Sequence, residues 1–173
     1  MIKRALDGID VDVFYEKLKN GLEVFLVPYK NRKNYYIDYC VKYGAKINSF
    51  ISSKTNKKIK TPYGVAHFLE HKMFEQEDGV DPFEFFNKSG TGCNASTSYK
   101  KTVYYIYGNK ELEKNLDFLI SYVNSPYFTK ENVEKEKGII EQEMKMYMDN
   151  PYSVIFEKMN YNMFNIHNIS KTS

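Results

Sequence analysis

The sequence is poor in the residue types that usually mark secreted, membrane or nucleic-acid-binding proteins. It has only two cysteines, Cys40 and Cys93, in no zinc-ribbon spacing, and only two arginines among its 25 basic residues. No segment approaches the roughly 20 apolar residues of a membrane span, and the N-terminal segment lacks the apolar run of a secretory signal. Because two free thiols favour a reducing compartment, we expect a cytoplasmic protein with no membrane and no nucleic-acid partner.

The remaining composition suits one soluble globular domain, and the alternation of apolar and polar residues predicts several strands. Asn20-Gly21 between two alternating segments indicates a β-hairpin over residues 15–29. Further strands are expected at 34–44, 91–99 and 101–108. The lysine-rich stretch 53–60 lacks aromatic residues and is interpreted as a solvated loop, with an anion-binding patch as the alternative.

Capping residues and 3.6-residue periodicity predict five helices. Thr61-Pro62 and Asp81-Pro82 each resemble an N-cap followed by proline at the first helical position. Thr129 is expected to begin a long helix that Pro151 stops. The predicted helices cover 62–75, 81–90, 109–125, 129–150 and 152–163. The element order favours an α+β fold, a two-layer α/β sandwich whose mostly antiparallel sheet packs against helices.

Histidine is also scarce, yet two of the three histidines lie four residues apart in the segment GVAHFLEHKMF, residues 64–74. On a helix, His67 and His71 differ by about 40° in direction and about 6 Å in height, so both can bind one ion. Two imidazoles suit zinc, and Glu70 beside them can take a proton from zinc-bound water. The alternative is that both histidines are hydrogen-bonded core residues.

A catalytic zinc usually has a third protein ligand, and the sequence offers several candidates for it. His167 lies in a polar tail, and Cys93 falls inside a predicted strand. The helix over 129–150 is rich in carboxylates, and its expected apolar stripe is formed by Val133, Ile140, Met144 and Tyr147. Helical geometry places one pair of glutamates on each side of this stripe and does not choose between the pairs, which are Glu136 with Glu143 and Glu134 with Glu141.

Three blocks of the sequence resemble, in order, the pitrilysin/insulinase family of zinc peptidases, the HxxEH inverzincins, and especially the bacterial processing-peptidase-like members. They are YGVAHFLEHKMF (63–74), GTGCNASTSYKKTVYY (90–105) and VEKEKGIIEQEMKMYMDNP (133–151). The hairpin KLKNGLEVFLVPY also resembles the opening of the family. Together the resemblance spans about residues 15–151.

The resemblance implies a role for each motif residue. It makes His67, His71 and Glu143 the ligands of one zinc ion, Glu70 the general base and Glu136 a supporting acid. It also implies that the NAST segment, through Asn94 and Ala95, binds a peptide substrate as an added strand, although these can be ordinary sheet residues. Family subunits usually carry two such domains, so we expect residues 1–173 to be one N-terminal domain that is incomplete at its C-terminal end and that needs a second domain or subunit.

Three functions compete at this point. The first is a zinc-dependent endopeptidase domain, weak or inactive in isolation, that hydrolyses peptides or peptide precursors. The second is a non-catalytic subunit of a paired peptidase, for which the intact Glu70 would have no use. The third is a lyase of the S-ribosylhomocysteine type, which resembles this fold but uses a later cysteine as ligand, and no cysteine follows Cys93.

Overall fold

A computed structural model describes residues 1–6, 9–29 and 31–164. The chain divides into two compact units, Met1–Asn34 and Tyr35–Ser173. Within the described residues, no helix is both long enough and apolar enough to cross a membrane.

The first unit is a three-stranded antiparallel sheet of order β1-β2-β3, formed by Ile2–Leu6, Ile9–Lys17 and Glu23–Leu26. The predicted hairpin is confirmed, since Phe14 pairs with Leu26 and Lys17 with Glu23. Gly21 has φ +91°, which glycine adopts without strain. The sequence did not predict β1, because consecutive basic residues interrupt the alternation there.

The main sheet of the second unit is antiparallel, with the order β4-β8-β7. Its strands are β4 (Tyr35–Val41), β7 (Gly92–Thr97) and β8 (Thr102–Gly108). In the sequence, β4 and β7 are separated by a two-stranded ribbon of β5 (Ser49–Ile51) and β6 (Lys58–Lys60). The interpretation of stretch 53–60 as a loop was therefore wrong in part, because its last three residues form β6 and Ile59 pairs with Phe50 of β5. The lysines of stretch 53–60 are exposed, as expected.

Five helices complete this unit: α1 (Val65–Lys72), α2 (Pro82–Asn87), α3 (Leu112–Asn124), α4 (Lys130–Met148) and α5 (Pro151–Phe164). Helices α1 and α2 pack against β7, and α3 packs against β8 and β4. The inward side chains of the sheet, Tyr104 and Ile106, meet Phe86, Leu119 and Tyr122 in one buried core. The predicted two-layer α+β architecture is confirmed.

The cap of α2 is confirmed, because the Asp81 carboxylate accepts a hydrogen bond from the Phe83 amide at 2.8 Å. The predicted start and end of α1 at residues 62 and 75 were wrong, since it begins after Gly64, whose φ is +83°, and ends at Lys72. Thr61 does not cap it, because its hydroxyl forms a 3.0 Å hydrogen bond with the Tyr43 hydroxyl instead. Thr129 begins α4, in a reciprocal capping box with Asn132.

The predicted apolar stripe of α4 was correct in part, because Val133, Ile140 and Met144 are half-buried, whereas Tyr147 is 48% exposed. The most buried residues of α4 are polar, Asn132 at 6% and Glu136 at 9% exposure. Hydrophobic periodicity does not register these polar residues, of which Glu136 is buried in contact with His71 of α1.

Candidate metal centre

One turn of α1 brings the two histidines of HxxEH together. The Nε2 atoms of His67 and His71 lie 3.2 Å apart, and the rings meet edge to face at 4.6 Å between centroids. Both side chains are partly exposed, at 31% and 26%. The pair therefore lies at a surface that solvent can reach.

Helix α4 packs against α1 and adds a carboxylate to the pair. Oε2 of Glu143 lies 3.7 Å from Nε2 of His67 and 3.5 Å from Nε2 of His71. Within the described part of the chain, these three residues are the group of histidine, cysteine and acidic side chains whose ligand atoms come close enough to hold a metal ion. The candidate ligand set thus joins two neighbouring helices.

The distances within this group suit a tetrahedral zinc ion. Ligand atoms at about 2.1 Å from zinc, in tetrahedral directions, are about 3.4 Å from one another. The three observed separations of 3.2, 3.5 and 3.7 Å scatter around this value. A tetrahedron with three protein ligands keeps a fourth position open for water or substrate, as catalytic zinc sites do.

Glu136, two helical turns before Glu143, contacts one of the two histidines. Its Oε1 atom lies 2.9 Å from Nδ1 of His71, and the side chain is buried. Because a carboxylate can only accept a hydrogen bond, Nδ1 carries the proton and the lone pair of Nε2 faces His67 and Glu143. Such carboxylate–histidine contacts are the usual support of a metal ligand.

The structure also resolves the four glutamates that helical geometry left open. Glu134 and Glu141 point to solvent and pair with lysines of their own helix, Lys137 at 2.6 Å and Lys145 at 2.9 Å. The Lys145 ammonium, through its hydrogen bond, lowers the pKa of the Glu141 carboxyl. Neither side chain reaches the histidines.

Glu70 is buried and follows this group's His67 by three residues, but its carboxylate oxygens are not among the candidate ligand atoms. Its Oε2 accepts a 2.5 Å hydrogen bond from the hydroxyl of Thr97 on β7. Burial, and then the negative charge of Glu70, raise the pKa of the neighbouring Tyr104. Thr97 was not predicted as a site residue, although its signal was present: alternation places it on the same face of β7 as Ala95.

The remaining predicted residues lie apart from the metal group. Ala95 packs against the core, whereas Asn94 is exposed on the opposite face of β7, and its side-chain oxygen accepts a 2.8 Å hydrogen bond from the Ala95 amide. Cys93 packs against the core, where burial raises the pKa of its thiol to about 11, with a smaller contribution from Asp81. His167 lies outside the described residues.

Comparisons with known proteins agree with this geometry. The sequence profile of the insulinase family, peptidase family M16, matches residues 56–173. A Bacillus subtilis protein, named as the uncharacterized zinc protease YmfH, is 43% identical over 155 residues, which are 90% of this chain and 36% of that protein. The beta subunit of the human mitochondrial-processing peptidase is 31% identical over 98 residues, which are 54% of this chain and 20% of that subunit.

A crystal structure supports the same relationship at the level of the fold. An M16-like protein from Alicyclobacillus acidocaldarius superimposes with a TM-score of 0.86 and 34% identity, over 94% of this chain and 38% of that one. The chain therefore spans little more than a third of the length of the Bacillus subtilis and Alicyclobacillus acidocaldarius proteins.

Proposed function

The chain belongs to the insulinase family of zinc peptidases, peptidase family M16, and we propose that it is a zinc-dependent endopeptidase domain that hydrolyses peptides or peptide precursors. The observation that carries the proposal is the convergence of His67, His71 and Glu143 within 3.2–3.7 Å beside the buried carboxylate of Glu70. One zinc ion per chain is the proposed cofactor.

In this proposal the two histidines and Glu143 hold zinc, and Glu136 holds His71 in the ligating tautomer. When bound there, zinc supplies Lewis acidity that polarises a peptide carbonyl and makes water more acidic. Glu70 takes the proton of the attacking water and passes it to the departing amine, the role of a general base and then acid. Its burial supports this role, because proton transfer is more effective where bulk water is excluded.

We propose that the substrate pairs with the free edge of β7. Within the described residues β7 pairs with β8 alone, so its other edge is open for an added strand. The Ala95 amide donates to the Asn94 side chain rather than to a neighbouring strand. A docking peptide carbonyl would take over this donor, which makes Asn94 and Ala95 the proposed substrate contacts.

A second peptidase domain or subunit is the proposed partner. Helix α5 exposes a row of large apolar side chains, and such patches on soluble proteins usually mark interaction surfaces. Among them are Ile155, Phe156 and Met159. The relative named as a beta subunit also indicates that family members work in assemblies. We place the protein in the cytoplasm, because Cys40 and Cys93 are both free thiols.

The test is a quenched-peptide assay on the zinc-loaded chain, alone and combined with the remaining region of a full-length relative. We expect slow cleavage by the chain alone and faster cleavage by the combination, because misplacing a substrate by about 1 Å can cost about 100-fold in rate. The blank is Glu70→Gln. Turnover in the combination that Glu70→Gln leaves intact would contradict the peptidase mechanism, and no turnover in any combination would favour a non-catalytic subunit.

A further inference from the structure

Glu70 contacts a series of hydrogen-bonded hydroxyl groups that have no part in the proposed metal binding. Thr97 lies at the last paired position of β7 and faces Thr102 of β8. Their hydroxyl oxygens are 3.2 Å apart, and the Thr102 hydroxyl donates to the backbone carbonyl of Tyr43 at 2.9 Å. The chain of contacts thus runs from the Tyr43 carbonyl through two threonines to the Glu70 carboxylate.

The number of protons that the two threonine hydroxyls can donate decides the direction of each hydrogen bond. Each threonine hydroxyl has one proton to donate. That of Thr102 is directed to the Tyr43 carbonyl, so Thr102 offers Thr97 only an acceptor at 3.2 Å. Glu70 offers a charged acceptor at 2.5 Å, which makes the stronger bond. Thr97 therefore donates to Oε2 of Glu70.

This bond holds one carboxylate oxygen and leaves the other available. Within the described residues, Oε1 of Glu70 makes no hydrogen bond to the protein. It is also not one of the buried side-chain oxygen and nitrogen atoms that lack a hydrogen-bond partner. A base that must receive a proton from water needs such an open oxygen at a fixed position. Side chains that are locked by neighbouring hydrogen bonds provide that fixed position.

The residues that contact Thr97 are themselves held by several contacts. Thr102 is 4% exposed, and the tight turn after Thr97 is closed by the Ser98 amide donating to the Lys101 carbonyl at 2.9 Å. Tyr43 is held in turn by its hydroxyl contact with Thr61 at 3.0 Å and by an edge-to-face contact with Phe50. A movement of Glu70 away from its position would therefore cost a hydrogen bond to a well-held donor.

We propose that Thr97 is a positioning residue for the general base. Its hydroxyl holds the carboxylate of Glu70 in place, and it lies on β7, the strand whose free edge is the proposed substrate site. The proposal rests on the peptidase function proposed above. Asn94 and Ala95, the proposed substrate contacts, precede Thr97 on β7, so one strand registers both the peptide and the base. Loss of the Thr97 hydroxyl should then impair the chemical step rather than substrate binding.

The test compares Thr97→Val with Thr97→Ser in the assembly that shows Glu70-dependent turnover. Valine keeps the shape and removes the donor, and we expect kcat to fall about 10- to 100-fold with KM and zinc content nearly unchanged. Serine restores the donor and should recover kcat to within about threefold. A crystal structure of zinc-loaded Thr97→Val should show the Glu70 carboxylate displaced from its position in the unmodified protein.

Thr91→Val is the matched control, because Thr91 is a buried threonine whose hydroxyl contacts Tyr35, Ser89 and Asn115 and not Glu70. It should leave kcat unchanged. Should Thr97→Val fail to fold, Thr97→Ala carries the same expectation. The proposal is overturned if Thr97→Val keeps kcat within about twofold, or if Thr97→Ser is as impaired as valine. Activity that survives Glu70→Gln would instead overturn the proposed function.

Discussion

Nδ1 of His71 lies 2.9 Å from Oε1 of Glu136, so a single imidazole ring joins helix α1 to helix α4. The same ring directs Nε2 to the carboxylate of Glu143, 3.5 Å away. One face of α4 thus supplies both the acceptor for His71 and the proposed ligand atom of Glu143. The expectations for metal binding depend on this arrangement.

Glu136→Gln should weaken zinc binding about 10- to 100-fold, the usual cost of losing a supporting contact to a metal ligand. The amide is neutral and accepts the Nδ1 proton less strongly than the carboxylate does. Zinc affinity measured by competition with a chelator provides the check. Glu134→Gln, on the exposed side of the same helix, is the control and should bind zinc normally.

Glu143→Gln should weaken zinc binding more than Glu136→Gln does, because a catalytic zinc has only three protein ligands to lose. Its matched control is Glu141→Gln, since the Glu141 side chain pairs with Lys145 and does not reach the histidines. Metal content of the purified variants, determined by mass spectrometry, is the measurement. If Glu141→Gln loses zinc and Glu143→Gln retains it, the ligand assignment is wrong.

Glu70→Gln should keep zinc and lower peptide hydrolysis by about two to four orders of magnitude, the usual range for general acid–base catalysis. The substitution removes a proton acceptor without removing a ligand atom. Zinc content and turnover are measured on the same preparation. Loss of the metal together with activity would show that Glu70 coordinates zinc.

The two cysteines should differ in reactivity toward iodoacetamide at pH 8. Cys40 is exposed, whereas Cys93 packs against the core and its thiol has a pKa raised to about 11 by burial. At pH 8 Cys93 is almost entirely the unreactive thiol. Peptide mass spectrometry should find Cys40 modified and Cys93 intact. Rapid labelling of Cys93 in the folded protein would contradict its placement.

Glu75→Gln should destabilise the protein at pH 7 by about 2 kcal/mol. This is less than the usual cost of breaking a buried ion pair, because the Glu75 side chain is partly exposed. It leaves the charge of Lys72, which is fully buried, without its partner. The pKa of Glu75 is lowered chiefly by its hydrogen bond with Lys72, so the stabilisation is present above the ordinary pKa and is lost as pH falls through the lowered one.

Chemical unfolding at pH 7 and at acid pH measures this difference. The unmodified protein and Glu75→Gln should converge in stability as Glu75 becomes protonated. Glu77→Gln, at an exposed position two residues later, is the control and should be nearly neutral at both pH values. A difference that persists unchanged in acid would show that the loss is not electrostatic.

The sequence by itself determined the local features of the site and most of the fold. The spacing of His67 and His71 requires only one helical turn, and the hairpin at Asn20-Gly21 requires only a local turn. Such features depend on residues close together in the chain, where helix and turn geometry are fixed. The α+β class likewise follows from the order of the elements.

Tertiary structure decided what depends on contacts between distant segments. Helical geometry left four glutamates of α4 equivalent, and only packing against α1 places Glu136 and Glu143 at the histidines, about 65 and 72 residues from His71. The polar residues Asn132 and Glu136 of α4 are also buried, which hydrophobic periodicity does not register. Thr97 reaches Glu70 across 27 residues because sheet pairing, which no local pattern specifies, turns that strand toward α1.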